Sequence, residues 1–163
     1  MTDVLLRDPA HLVSRRARAY WLVRALPGWL LIGGVLTAVL VGAGWSTPVT
    51  GSIVWTAIGL AVLHLVVMPW WRFRVHRWEV TDTAVYTQSG WFDQERRIAP
   101  IARVQTVDIE RGPFEQLFGL ANVTVTTASA RGPLKIHALD RGTAEHIVAW
   151  LTERAQTAGG DGT

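Results

Sequence analysis

Cysteine is absent from the 163 residues of this chain. The absence excludes disulfide bonds and thiolate metal sites, and it leaves the redox environment of the protein undetermined. Lysine is almost absent too, because fifteen of the sixteen basic residues are arginine. The net charge of +3 is a modest bias, and the arginines are not interleaved with aromatic residues as in nucleic-acid-binding modules. We therefore expect no nucleic-acid partner.

Charged residues are missing altogether from residues 25–71, a stretch of 47 residues. One membrane-spanning helix needs about 20 apolar residues, so this stretch accommodates two spans and a short connection. Gly, Ser, Thr and Pro concentrate in residues 42–52 and mark that connection as a turn. The sequence therefore predicts a transmembrane hairpin over residues 25–71, with spans at about 25–43 and 52–71, in preference to a secretory signal.

Arginines flank both ends of the hairpin, whereas the turn carries no charge. The positive-inside rule then predicts a multi-pass protein of the inner (cytoplasmic) membrane with both termini in the cytoplasm. Residues 1–24 form a basic cytoplasmic leader, which we interpret as an extension of the first helix; an amphipathic segment lying on the inner leaflet is the alternative. The candidate lipid-facing basic residues are Arg15, Arg16, Arg18, Arg24, Arg72, Arg74 and Arg77.

Residues 72–156 have the composition and the spacing of turn residues that are typical of a mainly-β domain. Short segments rich in β-branched and aromatic residues occupy 72–81, 84–88, 91–98, 101–110, 122–129 and 134–139, with turn residues between them. Imperfect alternation in 101–110 indicates a β-bulge, and residues 114–121 are expected to form a helical turn or loop. Apolar residues at helical spacing (Ala144, Ile147, Val148, Leu151) predict a C-terminal helix, capped by Asp140 or Thr143. Residues 157–163 are expected to form a disordered tail.

A run of residues within this domain has a recognisable pattern. It comprises Trp78, Val80, Thr81, Gly90, Ile98, Pro100, Arg103, Val104, Gln105, Val107, Pro113, Phe118, Gly119, Leu120, Ala121, Thr127 and Ala128. With two spans in front of it, this pattern resembles the bacterial pleckstrin-homology (PH)-like domain of the YdbS-like membrane proteins. The resemblance implies about seven antiparallel strands in two packed sheets with a C-terminal capping helix. It implies no known reaction and no cofactor.

Catalytic and metal-binding patterns are weak. Asp108 and Glu110 share one face of a strand, but two acids at this spacing are far more often a solvated surface than a general acid–base pair. No HExxH, P-loop or G-x-S-x-G motif occurs. His137 and His146 would make only two metal ligands if they met. His64 lies inside a span, where we expect a neutral imidazole bonded to the backbone of the other span or to Thr37.

The sequence therefore favours a non-enzymatic, membrane-anchored interaction or assembly module. The expected partners are the lipid bilayer and a membrane protein; the resemblance adds a related protein with several PH-like domains as a candidate, and a homo-oligomer is also open. Candidate partner-binding residues lie between the fourth and fifth strand-like segments: Glu110, Arg111, Pro113, Phe114, Glu115 and Leu117. The alternative is an anionic-lipid head-group binding domain, although the acidic Thr81-Asp82-Thr83 turn argues against inositide binding there. An enzyme using Asp108, Glu110 or His137 is the third hypothesis.

Overall fold

The computed structural model describes residues 7–42, 44, 48–91, 93–129 and 132–160. Part of the predicted turn between the spans (43, 45–47), the first six residues of the leader and the last three of the tail lie outside the described residues. Two apolar helices come first, α1 (Ala17–Gly42) and α2 (Pro48–Val75). Both are long and apolar enough to cross a membrane.

The two helices are longer than the predicted spans. At 1.5 Å per residue, the 28 residues of α2 extend about 42 Å, whereas the hydrocarbon core of a bilayer is about 30 Å thick. On the domain side, α1 begins eight residues before the predicted span and α2 continues four residues beyond it to Val75. This excess leaves room for both helices to contact the domain outside the hydrocarbon core.

Seven strands form two antiparallel sheets in the described part of the chain. The first sheet has the order β1-β2-β3-β4, and its strands are β1 (His11–Leu12), β2 (Arg77–Val80), β3 (Ala84–Gly90) and β4 (Gln94–Pro100). The second sheet contains β5 (Val104–Glu110), β6 (Leu120–Thr127) and β7 (Leu134–Asp140) in that order. A 3-10 turn (Ile101–Arg103), a short helix α3 (Pro113–Leu117) and a C-terminal helix α4 (Arg141–Gly160) complete the domain. The predicted fold class is confirmed.

One of the seven strands comes from the leader, which was expected to lie outside the domain. In β1, His11 pairs with Trp78 and Leu12 with Arg77 of β2. The next residue continues the ladder, because the Val13 amide donates to the His76 carbonyl at 3.4 Å. The domain therefore contains segments from both sides of the hairpin in sequence.

The main core lies between the two sheets and is closed by α4. Its centre is fully buried: Val85 of β3, Val123 and Val125 of β6, and Leu151 of α4. The apolar stripe predicted for α4 faces this core. Ala144 and Ile147 are buried as well, and Val148 packs against the core at its edge. Burying one such side chain contributes about 1.5–3 kcal/mol. The helix thus seals the open end of the sandwich.

Several element boundaries differ from the sequence-based ones. The expected strand over 72–81 begins only at Arg77, because α2 continues through Val75. The predicted turn at residues 89–90 is the end of β3, with the reversal just beyond it. The expected bulge in 101–110 is confirmed by a register shift between Val104 and Thr106. Helix α4 continues to Gly160, so it includes residues 157–160 of the expected tail.

A second apolar cluster joins the domain to the hairpin. Buried residues of the leader and of α1 (Val13, Ala17, Tyr20, Trp21), of α2 (Met68) and of the second sheet (Leu120, Ala138) pack together. At the other side of α2, the Trp71 indole N–H donates to the Trp91 carbonyl at 3.1 Å. The domain is therefore docked on the ends of its own helices, by contacts from both of its sheets.

Candidate functional site

The elbow, residues 110–120, joins β5 to β6 through α3. Gly112 precedes the helix and Pro113 occupies its first turn, where the missing proline N–H costs no helical hydrogen bond. Gly119 follows the helix with φ +66°, a left-handed conformation that glycine adopts without strain. Its carbonyl accepts a hydrogen bond from the Arg141 amide at 3.1 Å. The local sequence thus fixes a tight reversal against the start of α4.

Gly119→Ala is expected to destabilise the protein by about 1–2 kcal/mol, because a side chain in the left-handed region is strained. The new Cβ would also lie 2.9 Å from the Arg16 guanidinium, which would have to move. Gly142→Ala is the control: Gly142 lies in α4 with open space around it, and alanine is the better helix former. Chemical denaturation in detergent should show opposite signs for the two variants. A neutral Gly119→Ala variant would contradict the assigned conformation.

Helix α3 has an inverted polarity. Glu115 turns inward, and its carboxylate accepts hydrogen bonds from the Tyr20 hydroxyl at 2.8 Å and the Asn122 amide at 3.4 Å. Phe114 and Leu117 face outward, with exposed fractions of 44% and 75%. A helix on a solvated surface normally arranges apolar and charged residues the other way round. The elbow thus presents apolar surface next to the start of α1.

Two of the other predicted partner-binding residues of the elbow, Glu110 and Arg111, have structural contacts. Glu110 forms an ion pair with Lys135, with 3.0 Å between the Lys135 Nζ and Glu110 Oε2. The Arg111 Nε donates to the Leu120 carbonyl at 3.1 Å, and Pro113 is exposed at the start of α3. Among the six predicted residues, Glu110, Arg111 and Glu115 shape the elbow, whereas the other three form its outer surface.

A second feature is a cleft of about 520 Å³ between the domain-proximal ends of the hairpin and the second sheet. We call it the junctional cleft. Its lining residues are Tyr20, Trp21, Arg24, Arg72, Glu110, Glu115, Asn122, Lys135, His137 and Ala138. Three elements that are far apart in sequence supply its cations, since Arg24 comes from α1, Arg72 from α2 and Lys135 from β7. The cleft is therefore rich in hydrogen-bond donors.

The seven predicted lipid-facing arginines separate into three groups. Four lie close to aromatic rings of the hairpin, at 4.2–5.9 Å from the ring centroids: Arg18 near Phe73, Arg24 near Tyr20, Arg72 near Trp21 and Arg74 near Trp70. Arg15 and Arg16 are exposed in the leader. Arg77 lies on β2 and donates to the Pro9 carbonyl at 3.4 Å. Only Arg24 and Arg72 of the seven line the junctional cleft.

Three titratable side chains that line the cleft, His137, Glu110 and Glu115, have lowered pKa values. Burial and the neighbouring Lys135 and Arg72 charges lower the pKa of His137, so its imidazole is neutral at pH 7. The hydrogen bond from Lys135 lowers the pKa of Glu110. Burial acts to raise the pKa of Glu115, but the hydrogen bond from Tyr20 and the further contacts outweigh it and lower that pKa. Both carboxylates are therefore ionised at neutral pH.

The geometry offers little support for the catalytic hypothesis. Glu110 is held ionised by Lys135, whereas a general acid needs a carboxyl group that keeps its proton near pH 7. The Asp108 carboxylate accepts a hydrogen bond from the Thr106 hydroxyl at 3.3 Å on the exposed face of β5. His137 lines the junctional cleft, whereas His146 lies by Trp150 on the other side of the domain. No cluster of three metal-ligating side chains occurs among the described residues.

His64 has a different partner from the one expected. The Trp29 indole N–H of α1 donates to its Nδ1 at 2.9 Å, while the Thr37 hydroxyl donates to the Gly33 carbonyl. The acceptor role of Nδ1 requires an unprotonated nitrogen there. His64 therefore bonds to the other span, as predicted, but its partner is the Trp29 side chain and neither the backbone nor Thr37. The Trp91 ring of the domain also packs edge-on against His64, at 5.2 Å.

Helical spacing carried a signal for the cleft that the sequence-based prediction did not use. Tyr20 and Arg24 are four residues apart on α1, and the Arg24 guanidinium donates to the Tyr20 hydroxyl at 2.6 Å. Such pairs share one helix face. Asn122 and Lys135 gave no local signal, because only the pairing of β6 with its neighbours brings them to the hairpin.

Fold and site together define a membrane protein in which two apolar helices are docked on a PH-like domain. Residues 22–155 match the family model described as Bacterial PH domain, and the chain belongs to that family. It is also similar to the UPF0699 transmembrane protein YdbS of Bacillus subtilis (strain 168), with 40% identity over 103 residues. That match covers 63% of this chain and 53% of the relative, so the chain spans about half the length of the relative. No solved structure matches.

Proposed function

We propose that the protein is a non-enzymatic interaction and assembly module, anchored on the cytoplasmic face of the inner membrane with both termini in the cytoplasm. The observation that carries this proposal is the inverted polarity of α3, with Phe114 and Leu117 facing outward and Glu115 bonded inward. Neither the family description nor the name of the relative describes a catalytic activity.

The partner we propose is a second membrane protein, and a relative with PH-like domains is the first candidate. Docking supports this choice, because Tyr20 of α1 contacts both Glu115 and Phe118 and thereby holds the elbow beside the start of the helix. Two proteins confined to one bilayer meet at a raised effective concentration. A modest apolar contact at Leu117 is then sufficient for assembly, since the membrane has already restricted both partners.

Replacing both outward residues, as Phe114→Ser with Leu117→Ser, is expected to abolish recovery of the partner. The measurement is affinity purification of the full-length protein from native membranes in mild detergent, with quantitative mass spectrometry of the co-purified proteins. Ile98→Ser is the matched control, because Ile98 is 44% exposed, as Phe114 is, but lies on β4 of the other sheet. The proposal predicts a stoichiometric protein lost only from the double variant.

Two results would overturn the proposal. One is a partner retained by the double variant, which would place the contact elsewhere. The other is a photo-crosslinking residue at position 117 that forms adducts with lipid and with no protein in native membranes, which would assign the elbow to the bilayer. Thermal unfolding of the double variant should match the wild type, because exposed side chains contribute little to stability.

A further inference from the structure

The junctional cleft contains positive charge that the protein does not neutralise. Lys135 is paired with Glu110, and Glu115 accepts hydrogen bonds from Tyr20 and Asn122. Arg24 and Arg72 form no ion pair with any carboxylate in the described part of the chain. The Nε of Arg72 is also buried without a hydrogen-bond partner. A buried donor that lacks a partner is costly, so this guanidinium is suited to bind an anion.

Aromatic residues hold the two guanidinium groups in place. The Arg72 guanidinium lies 4.7 Å from the centroid of the Trp21 ring, and the Arg24 guanidinium donates one hydrogen bond to the Tyr20 hydroxyl at 2.6 Å. A guanidinium has several N–H donors in a planar fork, which matches two oxygens of a phosphate. The neighbouring Tyr20 and Trp21 thus hold two donor groups on the hairpin side of the cleft.

The position of the two arginines indicates the source of the anion. Arg24 is the last charged residue before the charge-free stretch, and Arg72 is the first one after it. Both therefore lie at the level where α1 and α2 enter the membrane, which is the level of the lipid head groups. The helices next to the cleft expose apolar side chains such as Leu30 and Val66, along which acyl chains would pack.

We propose that the junctional cleft binds the phosphate of an anionic phospholipid, with Arg24 and Arg72 as its ligands. Lys135 and the neutral His137 line the opposite wall, where they can contact the polar part of the head group. This site lies at the hairpin junction, away from the Thr81-Asp82-Thr83 turn of the first domain hairpin, whose Asp82 is paired with Arg154. The proposal does not depend on the outward residues Phe114 and Leu117 of the elbow, because neither of them lines the cleft.

The test is native mass spectrometry of the full-length protein in mild neutral detergent, titrated with phosphatidylglycerol, phosphatidylcholine or inorganic phosphate. We expect one phosphatidylglycerol molecule to bind, about tenfold more tightly than phosphatidylcholine. Arg72→Gln and Arg24→Gln should each lower that affinity about tenfold, since each removes a charge-assisted hydrogen-bond donor. Arg74→Gln is the control: it removes the same charge from the same helix, but Arg74 stacks on Trp70 outside the cleft.

If Arg72→Gln and Arg74→Gln lose the same affinity for phosphatidylglycerol, the proposed site is wrong, because the lipid would then be attracted by the positive charge of the surface in general. If inorganic phosphate binds saturably and displaces the lipid completely, the ligand of the cleft is a soluble phosphate and the proposal of a lipid ligand is wrong. Absence of both ligands from the wild type would overturn the proposal altogether. Because Arg72 supports the junction, Arg24→Gln provides a second variant: its side chain is exposed, so the replacement is expected to leave the fold intact.

Discussion

Trp21→Ala is expected to destabilise the protein by about 3–5 kcal/mol, the usual cost of removing a large aromatic side chain from a core. Trp21 is only 4% exposed. Its ring packs against His76 at 4.9 Å between centroids and supports the Arg72 guanidinium. The loss corresponds to a drop of about 10 °C in Tm for a protein of this size. Thermal unfolding in detergent, followed by circular dichroism, measures it.

Trp55→Ala is the matched control for this prediction, because it removes the same side chain from a position on α2 that is 73% exposed. It should leave Tm nearly unchanged. Limited trypsin digestion adds a local readout, since arginines flank the junction on both sides and a loosened junction should be cut faster. Equal Tm values for the two tryptophan variants would show that Trp21 does not belong to a packed interface.

Acidification is expected to destabilise the wild-type protein through His76. Burial and the nearby Arg72 charge lower the pKa of His76 from 6.5 to about 4. Its ring Nδ1 bonds the Arg72 carbonyl at 2.8 Å, and a carbonyl oxygen only accepts, so Nδ1 carries the proton of the neutral ring. Between pH 6.5 and pH 4 the unfolded state binds a proton that the folded state does not. Stability is therefore full above pH 6.5 and falls by about 3 kcal/mol toward pH 4.

His76→Asn isolates this contribution, because asparagine keeps a hydrogen-bond donor near the Arg72 carbonyl but does not titrate. The free energy of unfolding of the two proteins, measured by chemical denaturation from pH 7 to pH 4, should converge by about 3 kcal/mol. The lowered pKa values of His137, Glu110 and Glu115 also favour unfolding in acid, but both proteins share them. Parallel pH profiles would contradict a buried neutral His76.

The hairpin and the strand content of the domain could be predicted because their signals are local. A gap of 47 residues without charge determines two apolar helices, and alternation in residues such as Val123 and Val125 predicts β6. The end of α2 was harder to predict, because its Arg72–Val75 segment resembles a strand in composition. That segment is helical, and burial of Val75 shows that tertiary packing outweighed local propensity.

The docked leader could not be predicted from local pattern. Strand β1 has two residues, too few for any period to be visible, and its partner β2 is more than sixty residues away in sequence. Burial of Tyr20 and Trp21 depends on Leu120 and Ala138, which come from β6 and β7. For the same reason the junctional cleft was missed, although five of the residues that line it are charged and conspicuous in the sequence.

The pairing of the leader with the domain is the central structural claim, and the absence of cysteine makes it directly testable. Val13 and His76 form a hydrogen-bonded pair, so Leu12 and Arg77 beside them form a non-hydrogen-bonded pair, with Cα atoms about 4.5 Å apart. This separation suits a disulfide. In the variant Leu12→Cys with Arg77→Cys, mild oxidation of native membranes should therefore close one intramolecular bond.

The number of free thiols in each variant is measured by alkylation followed by mass spectrometry. If the leader pairs with the domain, both thiols disappear in the paired variant. They remain in Leu12→Cys with Gln88→Cys, because Gln88 lies one strand farther away, opposite Arg77 on β3. Two free thiols in the Leu12–Arg77 variant, under conditions that oxidise a control disulfide, would contradict the claim that the leader is part of the domain.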